Sequence, residues 1–412
     1  MWKSIIKFRL DICDLPTMLS IVSTLLRPMF LDIDSRHKTG IPKFFYIFSP
    51  CVVACYLYAY LISTIWFVFW RCRETGDTVS GMVILSLSLG CQIATFLFLF
   101  RKKLVTVLDD YRDCDALVER NSRLSQNIMK TLRIAKRRAM VFWVIIIVNG
   151  FIYLVKPLLL PGRNLIEKNQ IFLGLEPMLE SPNYELSFIL IGGGLIHTCY
   201  VPATISALLI VLSGYTEAQM LALSDELLHL WANAEQSYND YVNKALDGET
   251  NTSSTSIERE QFMNKRVKTN LEIIAKRHAI NIRLIRQVEA VYKWAIAAGF
   301  IILISCVTTA LLGGLENTYI EIPFDLIQIT MDCFTGQRLM DANLTFERAV
   351  YDCKWENFDV NNMRTVLLIL QNSQKTMTLS AGGISTLSYV SLMAIYKTIY
   401  SFYTTLRTTM RT

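Results

Sequence analysis

Along much of this chain the apolar residues come in long unbroken runs, with neither the alternation of a half-buried strand nor the interrupted stripe of a surface helix. A helix needs about 20 apolar residues to cross roughly 30 Å of hydrocarbon. Five runs meet or approach that length: 44–70, 78–100, 139–155, 186–216 and 294–315. Lys156 lies at the end of the third and can snorkel to the interface. A further stretch, 376–396, is uncharged but rich in Ser and Thr, and continues past Lys397 through Tyr400, Phe402 and Tyr403. Polar residues along a spanning helix imply a face turned toward water or protein. The weakest run is 322–340, where Asp325, Asp332 and Arg338 would be costly against acyl chains.

Charge decides whether that weakest run crosses, because basic residues collect in cytoplasmic segments. With seven spans, the side of the amino terminus holds 7 Lys and Arg in 1–43, 11 in 101–138, 9 in 217–292 and 5 in 338–375. The opposite side holds six, shared among 71–77, 157–185 and 404–412. Omitting 322–340 would put the five of 338–375 outside. The expectation is therefore an all-α polytopic membrane protein with seven spans, amino terminus cytoplasmic and carboxyl terminus extracellular. Composition agrees: 52% of residues are apolar and 18% charged, against about 25% charged in soluble domains. Residues 1–30 lack a signal peptide's compact apolar core, so the first span is expected to act as the insertion signal.

This placement divides the chain into a cytoplasmic amino-terminal segment (1–43), spans one to four (44–216), cytoplasmic helices (217–293), spans five and six (294–340), a cytoplasmic helical region (341–375), and the last span with an extracellular tail (376–412). Of ten cysteines, only Cys72 is expected outside, which leaves no disulfide framework. Cys51 and Cys55 share a helix face without His or carboxylate company, a poor metal site. The sequons at Asn251 and Asn343 both fall inside and should stay unmodified.

From Glu217 the fourth span is expected to run on as an amphipathic helix through Met220, Leu223, Leu227, Leu230 and Trp231, breaking at the linker-like 247–256. A second helix follows with Val267, Leu271, Ile274, His278, Ile282, Ile285 and Val288 three or four apart, leading straight into the fifth span. Such a stripe must be covered, either within the chain or by another subunit, and the spacing does not choose. The basic loop 101–138 fits a face toward lipid headgroups; a nucleic-acid partner does not fit sites flush with a membrane.

Chemistry is sparse. No His-Glu-x-x-His, Gly-x-Ser-x-Gly, Cys-x-x-Cys or phosphate-cradling loop occurs, so no enzymatic activity, metal or cofactor is implied. Gly192-Gly-Gly194, mid-span, permits close helix packing or a local break, with packing favoured. His197 reads as a hydrogen-bonded interior residue, with ligand contact or proton relay as the alternative. Asp325 and Asp332, two turns apart, share one face, either attracting cations near a conduction path or pairing with a base such as Arg338.

Three segments resemble a known family. Phe334-Thr-Gly-Gln-Arg-Leu339, followed by Ala349-Val-Tyr-Asp352, Trp355, Leu367 to Gln374, Leu379-Ser-Ala-Gly-Gly383 and Tyr400-Ser-Phe-Tyr403, is similar to the carboxyl-terminal signature of insect odorant receptors. Residues 174–185 and 213–222 resemble members from moths and butterflies. The sixth span is unusually acidic for that family and the outer loop before it short. The resemblance implies a ligand-gated, non-selective cation channel of four subunits around one pore, assembled with a widely shared co-receptor in the plasma membrane of an olfactory neuron. It implies an inter-subunit anchor from cytoplasmic helices, here Val267, Leu271, Ile274, Ile282, Ile285, Leu367 and Leu370. Its pore lining matches Tyr403, Thr405, Leu406 and Thr409 of the last span. Its pocket for a small volatile ligand, in the outer half of the bilayer, matches Met82, Ser86, Leu89, Val148, Phe151, Ile152, Phe188, Ile191, His197, Tyr319 and Ile322.

Two other classes compete. A secondary transporter would show inverted repeats or paired broken helices, and no repeat relates the two halves, though Gly192-Gly-Gly194 would suit one broken helix. A metabotropic seven-helix receptor would place its amino terminus outside, against the charge pattern.

Overall fold

The structure, a computed structural model, describes residues 13–29, 31, 33–34, 43–71, 101–165, 172–246, 256–312 and 320–409. It is helical almost throughout. Helix α1 (Leu15–Leu26) starts at Asp14, whose carboxylate accepts from the Thr17 amide at 3.1 Å and hydroxyl at 2.8 Å, with Pro16 in the first turn. Helix α2 (Lys43–Trp66) contains Pro50 and loosens into π-helical geometry over Leu57–Ile62 and again over Phe67–Arg71. Helix α3 (Arg101–Ala116) is followed by α4 (Arg123–Leu159), α5 (Asn183–Leu228), α6 (Leu230–Leu246) and α7 (Ser256–Leu312). Then come α8 (Glu321–Tyr351), α9 (Val360–Ser373) and α10 (Tyr389–Thr409), with a short antiparallel hairpin, β1 (Ser380–Ala381) and β2 (Ser385–Thr386), between the last two.

Among the described residues four helices are long and apolar enough to cross a membrane: α2, α4, α5 and α7. Helices α4 and α5 contain the expected third and fourth spans, and α2 and α7 cover most of the expected first and fifth; the second, 78–100, lies outside the described residues. Helices α8, at 31 residues, and α10, at 21, have the length without the apolarity.

Helix α5 is the hub, packing against α4, α8, α2 and α7. Between Ala203 and Leu227 it is buried on nearly every side, which is why it shows no polar face. Helix α5 does run on past the expected fourth span, but it breaks at His229, well before 247–256. There the Asp225 carbonyl receives the His229 amide (3.3 Å) and also faces the His229 ring (2.8 Å) and Arg123 (3.1 Å). Those contacts end α5 and turn the chain into α6.

The helix expected after 247–256 and the expected fifth span lie on one 57-residue helix, as the continuous stripe implies. Val267, Leu271, Ile274, His278, Ile285 and Val288 are buried and Ile282 half-buried, all within this one chain. The stripe is thus covered internally, which corrects its assignment to an inter-subunit surface. Leu370 packs against the same core, whereas Leu367 stays exposed on α9.

The last span needs a correction as well. Residues 376–388 form no helix; they run through the hairpin, where Gly382 (φ +64°) and Gly383 (φ +77°) take left-handed backbone suited to glycine. The Ser388 hydroxyl accepts the Ser391 amide at 3.2 Å at the start of α10. The hairpin is tied down by Gly382 N–H to the Lys293 carbonyl (2.9 Å) and by the Ser380 hydroxyl to Glu289 (2.5 Å).

Candidate functional site

A second, smaller core lies apart from the main one. Tyr56, Ala59 and Tyr60 of α2 meet Ile191 of α5 and the loop residues Leu165 and Phe172, with Leu175, Met178, Tyr184, Phe188 and Leu190 packed around them. The glycine triplet makes this contact possible. A Cβ on Gly194 would stand 2.5 Å from the Tyr60 ring, and one on Gly193 would stand 2.9 Å from the Cys55 side chain. Gly192-Gly-Gly194 therefore serves close packing of α5 on α2 within a continuous helix.

The box is aromatic. Tyr56 stacks with Tyr60 at 6.0 Å and tilts against the His197 ring at 4.8 Å, while Tyr184 lies 6.4 Å from Phe188. The loop is fastened over it: Tyr58 donates to the Leu173 carbonyl, Tyr184 to the Asn164 carbonyl at 3.3 Å, and Arg163 covers the Tyr184 ring at 5.6 Å while donating to the Leu179 carbonyl. His197 Nδ1 and Ser187 Oγ are buried here without a hydrogen-bond partner among the described residues. An apolar, aromatic enclosure with a few uncommitted polar atoms suits a small organic molecule held mainly by shape and dispersion. Among the described residues no cluster of His, Cys, Asp and Glu could hold a metal ion.

The structure divides the sequence-derived ligand candidates. Ile191 is buried in the box, Phe188 borders it, and His197 joins it through Tyr56. Ile322 is half-buried at the start of α8, beside the point where Asn149 of α4 donates to the Ile320 carbonyl at 3.1 Å. Met82, Ser86, Leu89 and Tyr319 lie outside the described residues. Val148, Phe151 and Ile152 lie apart from the box, on the exposed face of α4, Phe151 at 64% exposure, in register with Val141, Val144 and Ile145. The inward face of α4 belongs to Ile146 and to Gly150, where a Cβ would meet Cys199 at 2.9 Å. Tyr56, Tyr60, Phe172 and Met178 were missed. The repeated Tyr56-x-Tyr58-x-Tyr60 in the first span was their one visible signal.

Asp325 and Asp332 are both buried, at 4% and 9% exposure, inside the subunit. Asp332 accepts from Gln328 at 3.4 Å, and Gln328 reaches Ser206 of α5 at 2.7 Å. Arg338 is not their partner. It bonds Glu217 of α5, which Arg138 of α4 also holds. On α10, Thr405, Leu406 and Thr409 are exposed, Tyr403 is half-buried, and Ile399 is the one fully buried side chain.

Comparison with known proteins agrees with this architecture. Residues 322–400 match the family model described as 7tm Odorant receptor. Odorant receptor 30a of Drosophila melanogaster is 34% identical over 59 residues, 14% of this chain, and the match spans about a sixth (16%) of that relative's length. The solved insect olfactory receptor OR5 from Machilis hrabei shares the fold with a TM-score of 0.71 at 13% identity, covering 94% of this chain and 98% of that one. The same receptor in complex with eugenol gives 0.69 at 12% identity, covering 95% and 99%. The resemblance to insect odorant receptors read from the sequence is borne out in the carboxyl-terminal segment and in the fold of the whole chain.

Proposed function

We propose, proceeding from that resemblance to insect odorant receptors, that the chain is an odorant-gated, non-selective cation channel subunit in an olfactory neuron's plasma membrane. The observation that carries this reading is the odorant-receptor match over residues 322–400, the segment that forms α8, α9 and the first half of α10. In this reading the chain crosses the membrane seven times, with α8 as the sixth span, α10 as the seventh, and the amino terminus in the cytoplasm. The 32 Lys and Arg expected inside against six outside support that orientation. The polarity of α8 and α10 fits helices that face protein or water. Helix α10 buries a single side chain within its own subunit, as expected of a helix completed by neighbours around a pore. Thr405, Leu406 and Thr409, with Tyr403, would line it.

The ligand is a small volatile held near Tyr56, Tyr60, Phe188, Ile191 and His197. The OR5 structure with eugenol supports that class of molecule for the family's fold. To gate the pore the ligand must bind the open state more tightly than the closed one, since equal affinity shifts nothing. The chain would assemble with the shared co-receptor, with Leu367 on exposed α9 available to a neighbouring subunit. Co-expression with that co-receptor, recorded against a panel of volatiles, tests the reading. Agonist-evoked current with a linear current–voltage relation is expected. Ligand-driven uptake without channel current would favour a transporter instead.

A further inference from the structure

We propose that Glu217 is a positioning residue that locks the inner ends of α4, α5 and α8 into one geometry and thereby sets the start of α10, so that pore opening depends on it. The inference rests on the channel reading above, which gives α10 its role.

Glu217 is 2% exposed, with both carboxylate oxygens committed, each to a different helix. Oε2 accepts from Arg138 Nη2 of α4 at 2.5 Å, and Oε1 accepts from Arg338 of α8 through Nη2 at 2.6 Å and Nε at 3.0 Å. Charge-assisted bonds from a rigid guanidinium fork fix direction as well as distance. Just before Glu217 the helices touch closely, since a Cβ on Gly214 would stand 2.6 Å from the Ala135 Cβ of α4. A sliding of α8 by an ångström or two would leave a buried carboxylate half-paired, so the arrangement resists intermediate positions.

The same stretch of α8 holds the beginning of α10. Gln337, adjacent to Arg338, accepts the Tyr389 amide, the first of α10, at 3.2 Å. Gly336 lets the chain before α10 lie directly on α8, because a Cβ there would come within 2.3 Å of the Leu387 carbonyl. The Phe334 ring lies beneath the Arg138 guanidinium at 5.7 Å and 6.3 Å from the Tyr389 ring, so one side chain touches both the ionic lock and the helix it positions. Higher up, Thr330 and Tyr396 share a 2.6 Å hydrogen bond. The aromatic box is built on α5 26 residues before Glu217, about 40 Å along an unbroken helix. Movement of α5 at the box can reach α10 through this inner contact, beside the Gln328–Ser206 bond to α8 and the packing of α7 on both α5 and α10.

The test uses the full chain co-expressed with the shared co-receptor, as wild type, Glu217→Gln, Glu217→Asp and Gln337→Ala. It records dose–response curves for eugenol and a panel of volatile alcohols and esters, with surface labelling of each variant. Hydrogen exchange of the peptide around Tyr389 is followed in parallel on purified protein in lipid nanodiscs. Glu217→Gln and Gln337→Ala are expected to raise the half-maximal concentration about fivefold or more, the lower end of ordinary coupling between sites. The rank order of ligands should not change, Glu217→Asp should restore most of the response, and exchange around Tyr389 should quicken in both impaired variants. If Glu217→Gln fails to reach the surface, Gln337→Ala, which leaves the ion pair intact, decides in the same way. Wild-type curves and wild-type exchange in these variants would overturn the proposal. If the wild type itself passes no current to any volatile, the channel reading fails, and the exchange measurement alone decides whether Glu217 positions α10.

Discussion

His278 shows at the scale of one residue what burial does to a polar group that the sequence displays openly. It lies on the inward stripe of α7, 3% exposed, stacked on Phe346 at 4.6 Å, with Nε2 unpartnered among the described residues. Burial disfavours the charged ring and lowers its pKa from 6.5 to about 4. In the unfolded chain the ring takes up a proton at the ordinary value, so this contribution is complete above pH 6.5 and is lost as pH falls toward 4. The difference amounts to roughly 3 kcal/mol at most. We expect thermal stability in nanodiscs to fall between pH 7.5 and pH 5, and His278→Phe to flatten that dependence; equal slopes in the two proteins would exclude His278 as the source. The stripe position of His278 was legible because helical spacing is local. The partner of Arg338 was not, because Glu217 lies 121 residues away and nothing in either neighbourhood marks the other. Asp332, for which Arg338 was one candidate partner, is bonded within its own helix to Gln328.

At the scale of elements, hydropathy located helices well and their ends poorly. Runs 139–155 and 186–216 became cores of α4 and α5, but both helices extend far into the inner mass, where packing rather than lipid sustains them. The stretch 376–388 misled because uncharged Ser, Thr and small apolar residues look the same to a hydropathy count in a hairpin or a span. Gly382-Gly383 was the available signal, a pair that accepts left-handed backbone at little cost. Nothing lies within 4 Å of a Cβ built on Gly383, so Gly383→Ala should cost about 1–2 kcal/mol through backbone conformation alone. Gly194→Val should cost a comparable or larger amount for a different reason, overpacking of about 1–3 kcal/mol against the Tyr60 ring. The two are separable by ligand response at matched surface level. Gly194→Val disturbs the aromatic box and should reorder the volatiles that evoke current, while Gly383→Ala should lower stability and leave their order alone. The same order in both variants would remove the box from ligand recognition.

At the scale of the whole molecule, the large exposed apolar side chains fall where a membrane or a neighbouring subunit would cover them. Phe44, Ile47, Phe69 and Trp70 lie on or just beyond α2, Val141 to Ile152 on α4, Ile189 and Ile196 on α5, and Ile301 on α7. Soluble monomers rarely expose contiguous apolar surface on this scale. Ile384, 93% exposed at the hairpin tip, and Val390 and Met393 near the start of α10 form a separate group next to the proposed pore helix. Asn343, in a sequon, is fully buried with its amide donating to the Ser373 carbonyl at 2.9 Å, so in the folded chain it offers no free nitrogen for a glycan. Orientation remains the property on which the channel reading turns, since α10 can line a pore only if α8 crosses before it. An epitope tag fused ahead of Met1 should stain only after permeabilisation, and one placed after Thr412 should stain intact cells. Cysteine labelling adds a check along the chain: a single reactive cysteine introduced at Glu180, exposed between α4 and α5, should react with impermeant reagent from outside, and one at exposed Gln371 of α9 should not. Both termini in the same compartment would mean an even number of crossings. Helix α8 would then lie within the protein on one side of the bilayer, and the acidic pair Asp325 and Asp332 would sit in an ordinary cytoplasmic core instead of a span.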